Sequence, residues 1–263
     1  MKVKSALILS AGFGTRMGKI GKSLPKPLWP FNGTTLLAEQ IQFVRSLGIE
    51  DIYVNVHHQA EDVISYVERF FPSVHILHEK EILGSGGAIH NVAHKLSYCG
   101  SLLTINSDVL ISMNHDEWKE FFLPLMGCSR LLALPVKEIG YNEFILNKSL
   151  LSKIEKSTKE NYYTYAGVGI IDLEKIDETP GESSFFQTVA DFKNKEVEVY
   201  RPKTLSYTDY GTLDLYLANI GKIKISSEIG FLKILKKNGK TKLEYLNYGS
   251  KTITQDEINP LPE

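Results

Sequence analysis

Residues 6 to 16 read Ala6-Leu7-Ile8-Leu9-Ser10-Ala11-Gly12-Phe13-Gly14-Thr15-Arg16, and residues 23 to 28 read Ser23-Leu24-Pro25-Lys26-Pro27-Leu28. The apolar run Ala6 to Leu9 has the length of a buried strand and opens directly into a glycine-rich loop. Gly12 and Gly14 can take backbone angles closed to other residues and leave bare N–H groups against a ligand, a cradle suited to phosphate oxygens. Arg16 and Lys26 add positive charge to the same loop. Lys26 lies between two prolines, and a residue before proline is disfavoured in the helical region, so an extended, firmly aimed Lys26 is expected. A lone G-x-G of this kind is as often a plain strand-to-helix turn carrying surface basic residues.

Working outward, strand and helix alternate. Leu36, Leu37, Ile41, Val44 and Leu47 recur at helical spacing behind Thr34 and Thr35 as caps, and Gly48 ends the run. Ile52, Val54 and Val56 mark a strand, and Val63, Ile64, Val67 and Phe70 a helix that stops at Pro72. Residues 74 to 77 and 101 to 105 read as buried strands, with a helix near Ala88 to Leu96 between them. A helix is expected over 115 to 126 and a strand over Leu131 to Val136. This rhythm predicts an α/β fold: a doubly wound, mostly parallel, Rossmann-like sheet with helices on both faces, binding ligand at the carboxyl ends of its strands. Residues 137 to 172 change texture to short strands with polar connections, the pattern of a small antiparallel β layer. Residues 183 to 192 read as helix, Val197 to Tyr200 as strand, and Tyr207 to Tyr216 as strand passing into helix. One domain over 1–220 is expected, followed by a C-terminal extension, 221–263, that matches no motif and reads equally as helix, oligomer contact or loose tail.

Composition narrows the function. A chain of 263 residues with 43% hydrophobic content can bury one large core. Its formal charge of −1 supplies no broad field for nucleic acid or anionic membrane, so an anionic ligand must be held by local cations. Cys99 and Cys128 lack C-x-x-C spacing and make no disulfide framework, which fits a reduced, cytoplasmic setting. No signal-peptide pattern opens the chain, and no run approaches the ~20 apolar residues of a membrane span. Monomer and dimer are both open.

Further constellations carry chemistry. Glu79-Lys80-Glu81-Ile82-Leu83-Gly84-Ser85-Gly86-Gly87-Ala88 lies between a strand and a helix, where glycines permit close backbone approach and the helix start presents free N–H groups; it is also the pattern of a flexible turn. Asn106-Ser107-Asp108 follows a strand, so Asp108 reaches the carboxyl edge of the sheet, although an Asx turn is the commoner reading of such a triplet. Asp209, within Tyr207-Thr208-Asp209-Tyr210-Gly211-Thr212, reads singly as a helix N-cap. Ile154-Glu155-Lys156 precedes Tyr165-Ala166-Gly167 and in isolation is a solvated connection. His57-His58 and the pair His90 and His94 lack a third ligand, and packing or surface roles are expected for them.

Neither the Walker loop nor the dinucleotide fingerprint fits the first loop, since no G-K-S/T closes it and Met17 occupies the third glycine position. The loop resembles instead the signature of the sugar-1-phosphate nucleotidylyltransferases, G-x-G-T-R followed by P-K-P-L, with Arg16 and Lys26 at the family's separation. Lys19 and Gly21 replace the usual proline and threonine, so the middle of the loop is expected to be shaped differently. Residues 79 to 88 are similar to the family's E-x-x-L-G-T-A/G-G-A segment, Asp108 and Asp209 match its G-D and W-x-D-x-G-T aspartates, and Glu155-Lys156 its E-K-P segment, with Ser107, Tyr207 and Ser157 as departures. The four motifs fall in order over residues 5 to 220, closest in kind to the small mannose- and heptose-1-phosphate guanylyltransferases and the N-acetylmuramate-1-phosphate uridylyltransferase-like members.

The resemblance implies a transfer of a nucleoside monophosphate from a nucleoside triphosphate to a sugar 1-phosphate, with release of pyrophosphate, in the supply of cell-surface polysaccharide precursors. It implies that Ala11, Gly12, Gly14, Thr15, Arg16, Lys26, Glu79, Gly84 and Gly86 bind nucleotide. Gly87, Glu155, Lys156 and Gly167 then bind the sugar phosphate under the antiparallel layer, and Asp108 and Asp209 hold Mg²⁺, with Arg16, Lys26 and Asp108 catalytic. The glutamine usual in thymidylyl and uridylyl members is absent beside Glu79, which points to GTP first and UTP second. Cytidylyl transfer to a non-sugar phosphate such as phosphocholine, and a non-catalytic nucleotide-sugar-binding regulatory role, are the alternatives that the same family implies.

Overall fold

A computed structural model describes residues 3–125, 127–178, 181–190, 196–220, 224–237, 240–247 and 253–258. Its elements run β1 (Ser5–Leu9), β2 (Pro30–Phe31), β3 (Thr34–Thr35), α1 (Leu36–Ser46), β4 (Asp51–Val56), α2 (Ala60–Phe70), β5 (His75–His78), α3 (Gly84–Lys95), β6 (Ser101–Asn106), β7 (Val109–Ser112) and α4 (His115–Phe121). They continue through β8 (Ser129–Val136), β9 (Asn142–Asn147), β10 (Leu150–Lys156), β11 (Tyr162–Asp172), α5 (Phe185–Val189), β12 (Val197–Tyr200), β13 (Ser206–Asp209), α6 (Leu213–Ile220), β14 (Lys224–Ser227), β15 (Gly230–Lys237), β16 (Lys240–Asn247) and β17 (Ile253–Ile258).

Successive strand residues face opposite sides, and the central strands feed two cores on that period. Ala6 and Ile8 of β1 join one cluster with α1, α2, α4 and α6, while Leu7 joins the other with α3 and α5. Each of those three side chains is wholly buried. This is the physical content of an α/β sheet covered on both faces, as the alternation predicts. The nine strands stand in the order β5-β4-β1-β6-β11-β8-β12-β10-β9, with β5, β4, β1 and β6 mutually parallel. The chain winds outward from β1 to β4 and β5 and then crosses to β6 on β1's other side. The carboxyl ends of β1 and β6 are therefore the crevice where such sheets bind ligand.

The antiparallel strands expected beyond residue 137 pair into this large sheet: β11 runs antiparallel to both β6 and β8, and the β9–β10 hairpin closes the edge through β12. Small antiparallel sheets lie beside it, β7 with β13, β2 with β3, and β14 to β17. Several expectations need correcting. β5 is an edge strand in which Leu77 is buried and both histidines are exposed. α4 stops at Phe121, because Pro124 cannot continue a helix and disfavours helical backbone at Leu123. The helix expected over 183 to 192 is α5, capped by a reciprocal Ser184–Gln187 box; positions 191 and 192 lie outside the described residues. Where described, the C-terminal stretch is strand rather than helix, and its Ile225, Leu232, Ile234, Leu243 and Tyr245 pack in the same core as Trp29 and Leu36. No helix among the described residues is long and apolar enough to cross a membrane.

Candidate active site

The loop after β1 is anchored from below. Met17, Ile20, Leu24, Leu28 and Trp29 are at most 3% exposed, and the Trp29 indole N–H donates to the Leu24 carbonyl at 3.1 Å. Those anchors wind the loop into three short 3₁₀ turns, Thr15–Met17, Ile20–Lys22 and Lys26–Leu28. Gly14 enters the first with φ 62°, a left-handed conformation that favours glycine. At Gly21 a Cβ would stand 2.8 Å from Met17 Cβ and 3.0 Å from the Gly14 carbonyl, which explains glycine in place of the family's threonine. Lys26 is not extended as its prolines suggest. It opens the third turn with Pro27 behind it, where a missing N–H costs no hydrogen bond.

Above the loop is a cavity of about 310 Å³ lined by Ser10, Gly12, Phe13, Gly14, Thr15, Arg16, Lys26, Asn106, Ser107, Asp108 and Gly211, among others. The fold brings its two sides together at the switch point, where the Ser107 N–H donates to the Leu9 carbonyl at 3.1 Å. The hydroxyl of Ser10 is buried there without a hydrogen-bond partner among the described residues. Arg16, on the cavity lining, is exposed.

Asp108 and Asp209 converge although a hundred residues separate them. β13 pairs antiparallel with β7 so that Asp209 faces Val109, and the Tyr210 N–H closes the ladder on the Asp108 carbonyl at 2.8 Å. Lys26 Nζ forms an ion pair with Asp108 Oδ2 and also donates to the Gly211 carbonyl at 3.1 Å. Asp209 Oδ1 accepts from the Gly211 N–H at 2.6 Å. The helix-cap reading of Asp209 is thereby displaced, because Thr212 Oγ1 accepts from Leu215 N–H and caps α6. Burial raises the Asp209 carboxyl above its ordinary range and the charge of Asp108 raises it further, while Gly211, Lys26 and Arg16 pull it back. Tyr207 lies on the same face of β13 as Asp209; burial, then the two carboxylates, raise its phenol so that it stays neutral. Two converging carboxylates offer hard oxygen donors, a donor set that suits Mg²⁺. Among the described residues no group of three or more His, Cys, Asp or Glu side chains stands ready for a metal.

The second glycine segment is built differently. Glu79 is 3% exposed and turned inward: Oε1 accepts from Asn55 Nδ2 at 2.9 Å and Oε2 from the Leu83 N–H at 3.1 Å. Asn55 Oδ1 in turn accepts the Ser10 N–H at 2.8 Å, so a buried polar chain ties the root of the first loop to the start of α3. Asn55 braces the loop from below the cavity and is passed over by motif reading; its signal is a polar residue inside an apolar strand, which must find partners. A Cβ on Gly84 or Gly87 would stand 2.6 Å from the carbonyl of Ser183 or Gly181 respectively, and one on Gly86 2.5 Å from that of Ser184. Gly86 N–H donates to Ser183 O at 2.9 Å, and Ser183 N–H to Leu83 O at 3.0 Å. These glycines meet the chain's own segment and do not line the cavity that holds Arg16 and Lys26.

Gly167 takes φ +78° at a bulge of β11 and lies so close to Asn106 that a Cβ would be 2.8 Å from Nδ2. Glu155 and Lys156 are exposed at the end of β10, outside the cavity lining, with Glu155 paired to Lys153. The histidines keep packing roles. His57 Nδ1 donates to the Glu79 carbonyl at 2.8 Å while its ring meets Phe13 edge-on, and His90 is buried in α3 beside Tyr98.

Comparison with known proteins agrees with this geometry. Residues 6–134 match the model of the MobA-like NTP transferase domain. The chain is 32% identical over 165 residues to a bifunctional protein GlmU of Methanococcus maripaludis, covering 62% of this chain and 39% of that protein. It is 27% identical over 190 residues to mannose-1-phosphate guanylyltransferase 1 of Arabidopsis thaliana, covering 66% and 52%. It thus spans about half or less of these relatives' lengths. The fold matches that of HddC from Yersinia pseudotuberculosis complexed with GMP-PN, with a TM-score of 0.68 at 23% identity over 84% of this chain and 100% of that one. CTP:phosphocholine cytidylyltransferase (LicC) from Streptococcus pneumoniae shares it equally, with a TM-score of 0.68 at 19% identity and the same coverage. Residues 6–134, which hold the loop with Arg16 and Lys26 and the strand that delivers Asp108, are thus similar to the MobA-like NTP transferase domain.

Proposed function

We propose that this protein transfers a nucleoside monophosphate from a nucleoside triphosphate to a sugar 1-phosphate, giving a nucleoside diphosphate sugar and pyrophosphate. The observation that carries the reading is the meeting of Lys26, Asp108 and Gly211 at one wall of the cavity whose other wall is the Gly12–Arg16 loop, with Asp209 held just behind that wall by the Gly211 N–H. A phosphate oxygen of the acceptor attacks the α-phosphorus, the bond from that phosphorus to the β-phosphate's bridging oxygen breaks, and pyrophosphate leaves with the electron pair. No side-chain nucleophile is needed, so the work is positioning and charge neutralisation.

In this reading the loop N–H groups and Arg16 hold the departing β- and γ-phosphates, and Lys26 holds the α-phosphoryl oxygens. Lys156 is assigned to the acceptor phosphate. Asp108 and Asp209 would hold Mg²⁺, which when bound supplies the positive charge that offsets the meeting of two phosphorylated substrates. Glu79 acts by holding Asn55 and the turn before α3 in place rather than by touching the base. GTP is the first donor to try and UTP the second, a choice supported by the lack of the family's glutamine beside Glu79 and by the guanylyltransferase relative.

The test is release of pyrophosphate from each of five nucleoside triphosphates with a panel of sugar 1-phosphates, phosphocholine included, in Mg²⁺ buffer. The reading expects release that requires both substrates and a sugar 1-phosphate as the productive acceptor. Phosphocholine with CTP as the best pair, or no release with any pair, would overturn it.

A further inference from the structure

The Lys26–Asp108 pair marks a property beyond catalysis by either residue. The Lys26 ammonium is held from two directions: it pairs with Asp108 Oδ2 and donates to the Gly211 carbonyl at 3.1 Å. Gly211 is also the residue whose N–H holds Asp209 Oδ1 at 2.6 Å, and a Cβ there would lie 2.7 Å from that oxygen and 3.4 Å from Asp108 Oδ2. The lysine therefore sits at the mouth of the carboxylate pair, with its side chain 11% exposed and that of Asp108 19%. We infer that Lys26 is a resident cation that keeps free divalent metal out of the Asp108–Asp209 site until a nucleotide draws the ammonium away. The inference rests on the proposed nucleotidyl transfer and names the residue that sets the order in which metal and nucleotide enter the site.

A free metal ion entering alone must evict the ammonium from a charge-assisted hydrogen bond and leave it partly buried beside a new dication, both of which are unfavourable. A metal ion arriving on a triphosphate brings phosphoryl oxygens to which the same ammonium can turn. Lys26 then exchanges one anionic partner for another, and the metal gains phosphate oxygens in addition to the two carboxylates. The order of events is thus written into one lysine.

The test uses Mn²⁺ in place of Mg²⁺ and reads the free ion by electron paramagnetic resonance, with melting curves as the check of folding. Wild type without nucleotide is expected to bind Mn²⁺ weakly, and tightly once a non-hydrolysable triphosphate is present. Lys26→Met, which keeps the chain length without the charge, should bind Mn²⁺ alone roughly tenfold more tightly than wild type, the effect of a lost charged hydrogen-bond competitor. Lys26→Arg should stay weak, and Lys26→Met combined with Asp108→Asn should lose the gain. Equal or weaker Mn²⁺ binding by a folded Lys26→Met overturns the inference while leaving the proposed function standing. If Lys26→Met does not fold, Lys26→Gln is read by the same criterion. Failure of wild type to bind Mn²⁺ even with the triphosphate overturns both.

Discussion

Two glycine-rich segments in this chain look alike on paper and differ in what meets them. A Cβ added at Gly12 would find nothing within 4 Å, and one at Gly14 would find only the Lys26 side chain, at 3.7 Å. At Gly84, Gly86 and Gly87 the added atom would run into the backbone of residues 181 to 184 at 2.5 to 2.6 Å. The first segment is open because its anchors, Met17 and Trp29, are below it; the second is closed because the strap before α5 lies on it. Glycine in the first leaves room for a ligand. In the second it lets two pieces of the chain approach.

The contrast is tested most strongly at Arg16. Replacing it by alanine should lower turnover ~10²- to 10³-fold, the usual loss for a preorganised donor to developing charge. Because Arg16 is exposed, stability should change by roughly 0.5 kcal/mol or less. Parallel assays of pyrophosphate release and thermal melting separate the two; a melting point that falls along with activity would make the first segment structural like the second.

The next effect is on stability. Gly86→Ala must push apart α3 and the Ser183–Ser184 backbone, and overpacking of that kind typically costs ~1–3 kcal/mol. Gly12→Ala should leave the unfolding midpoint nearly unchanged and weaken nucleotide binding instead. Denaturant unfolding of the pair measures this, and equal losses would erase the distinction.

A smaller, pH-dependent effect belongs to the open site. Burial and Asp108 raise the Asp209 carboxyl above its unfolded value, so the folded state takes up its proton at higher pH than the unfolded state does. The stability contributed by this group is full below the unfolded value and is lost as pH rises through the raised folded one. Asp209→Asn should therefore melt higher than wild type at neutral pH without metal, and the gap should narrow as pH falls toward the ordinary carboxylate range. A gap that widens on acidification would mean that Asp209 is stabilised as an anion by its neighbours.

Much of this was legible in the residues because it rests on local rules. The apolar run Ala6 to Leu9, the alternation in Ile52 to Val56, the Thr35 cap and the break at Gly48 each act over a few positions, and the helices and strands follow them. Motif order singles out Asp108 and Asp209, and the ladder of β7 with β13 supplies the reason they meet. What escaped depends on distant partners. Nothing near Glu79 says that both its oxygens will be taken by Asn55 and Leu83, and nothing near Gly86 says that Ser183 will cover it. Lys26 misled for a different reason, since the bias of a residue before proline yields when a 3₁₀ turn is fixed by Leu28 and Trp29 packed beneath it.

The central claim is that the cavity between the open glycine loop and the converging aspartates is where nucleotidyl transfer takes place. Asp108→Asn keeps the size of the side chain and removes its charge. Pyrophosphate release with a nucleoside triphosphate, a sugar 1-phosphate and saturating Mg²⁺, compared between wild type and this variant at matched melting behaviour, is the direct measurement. The account predicts loss of most of the turnover in a protein that still folds; near-native turnover in Asp108→Asn would contradict it.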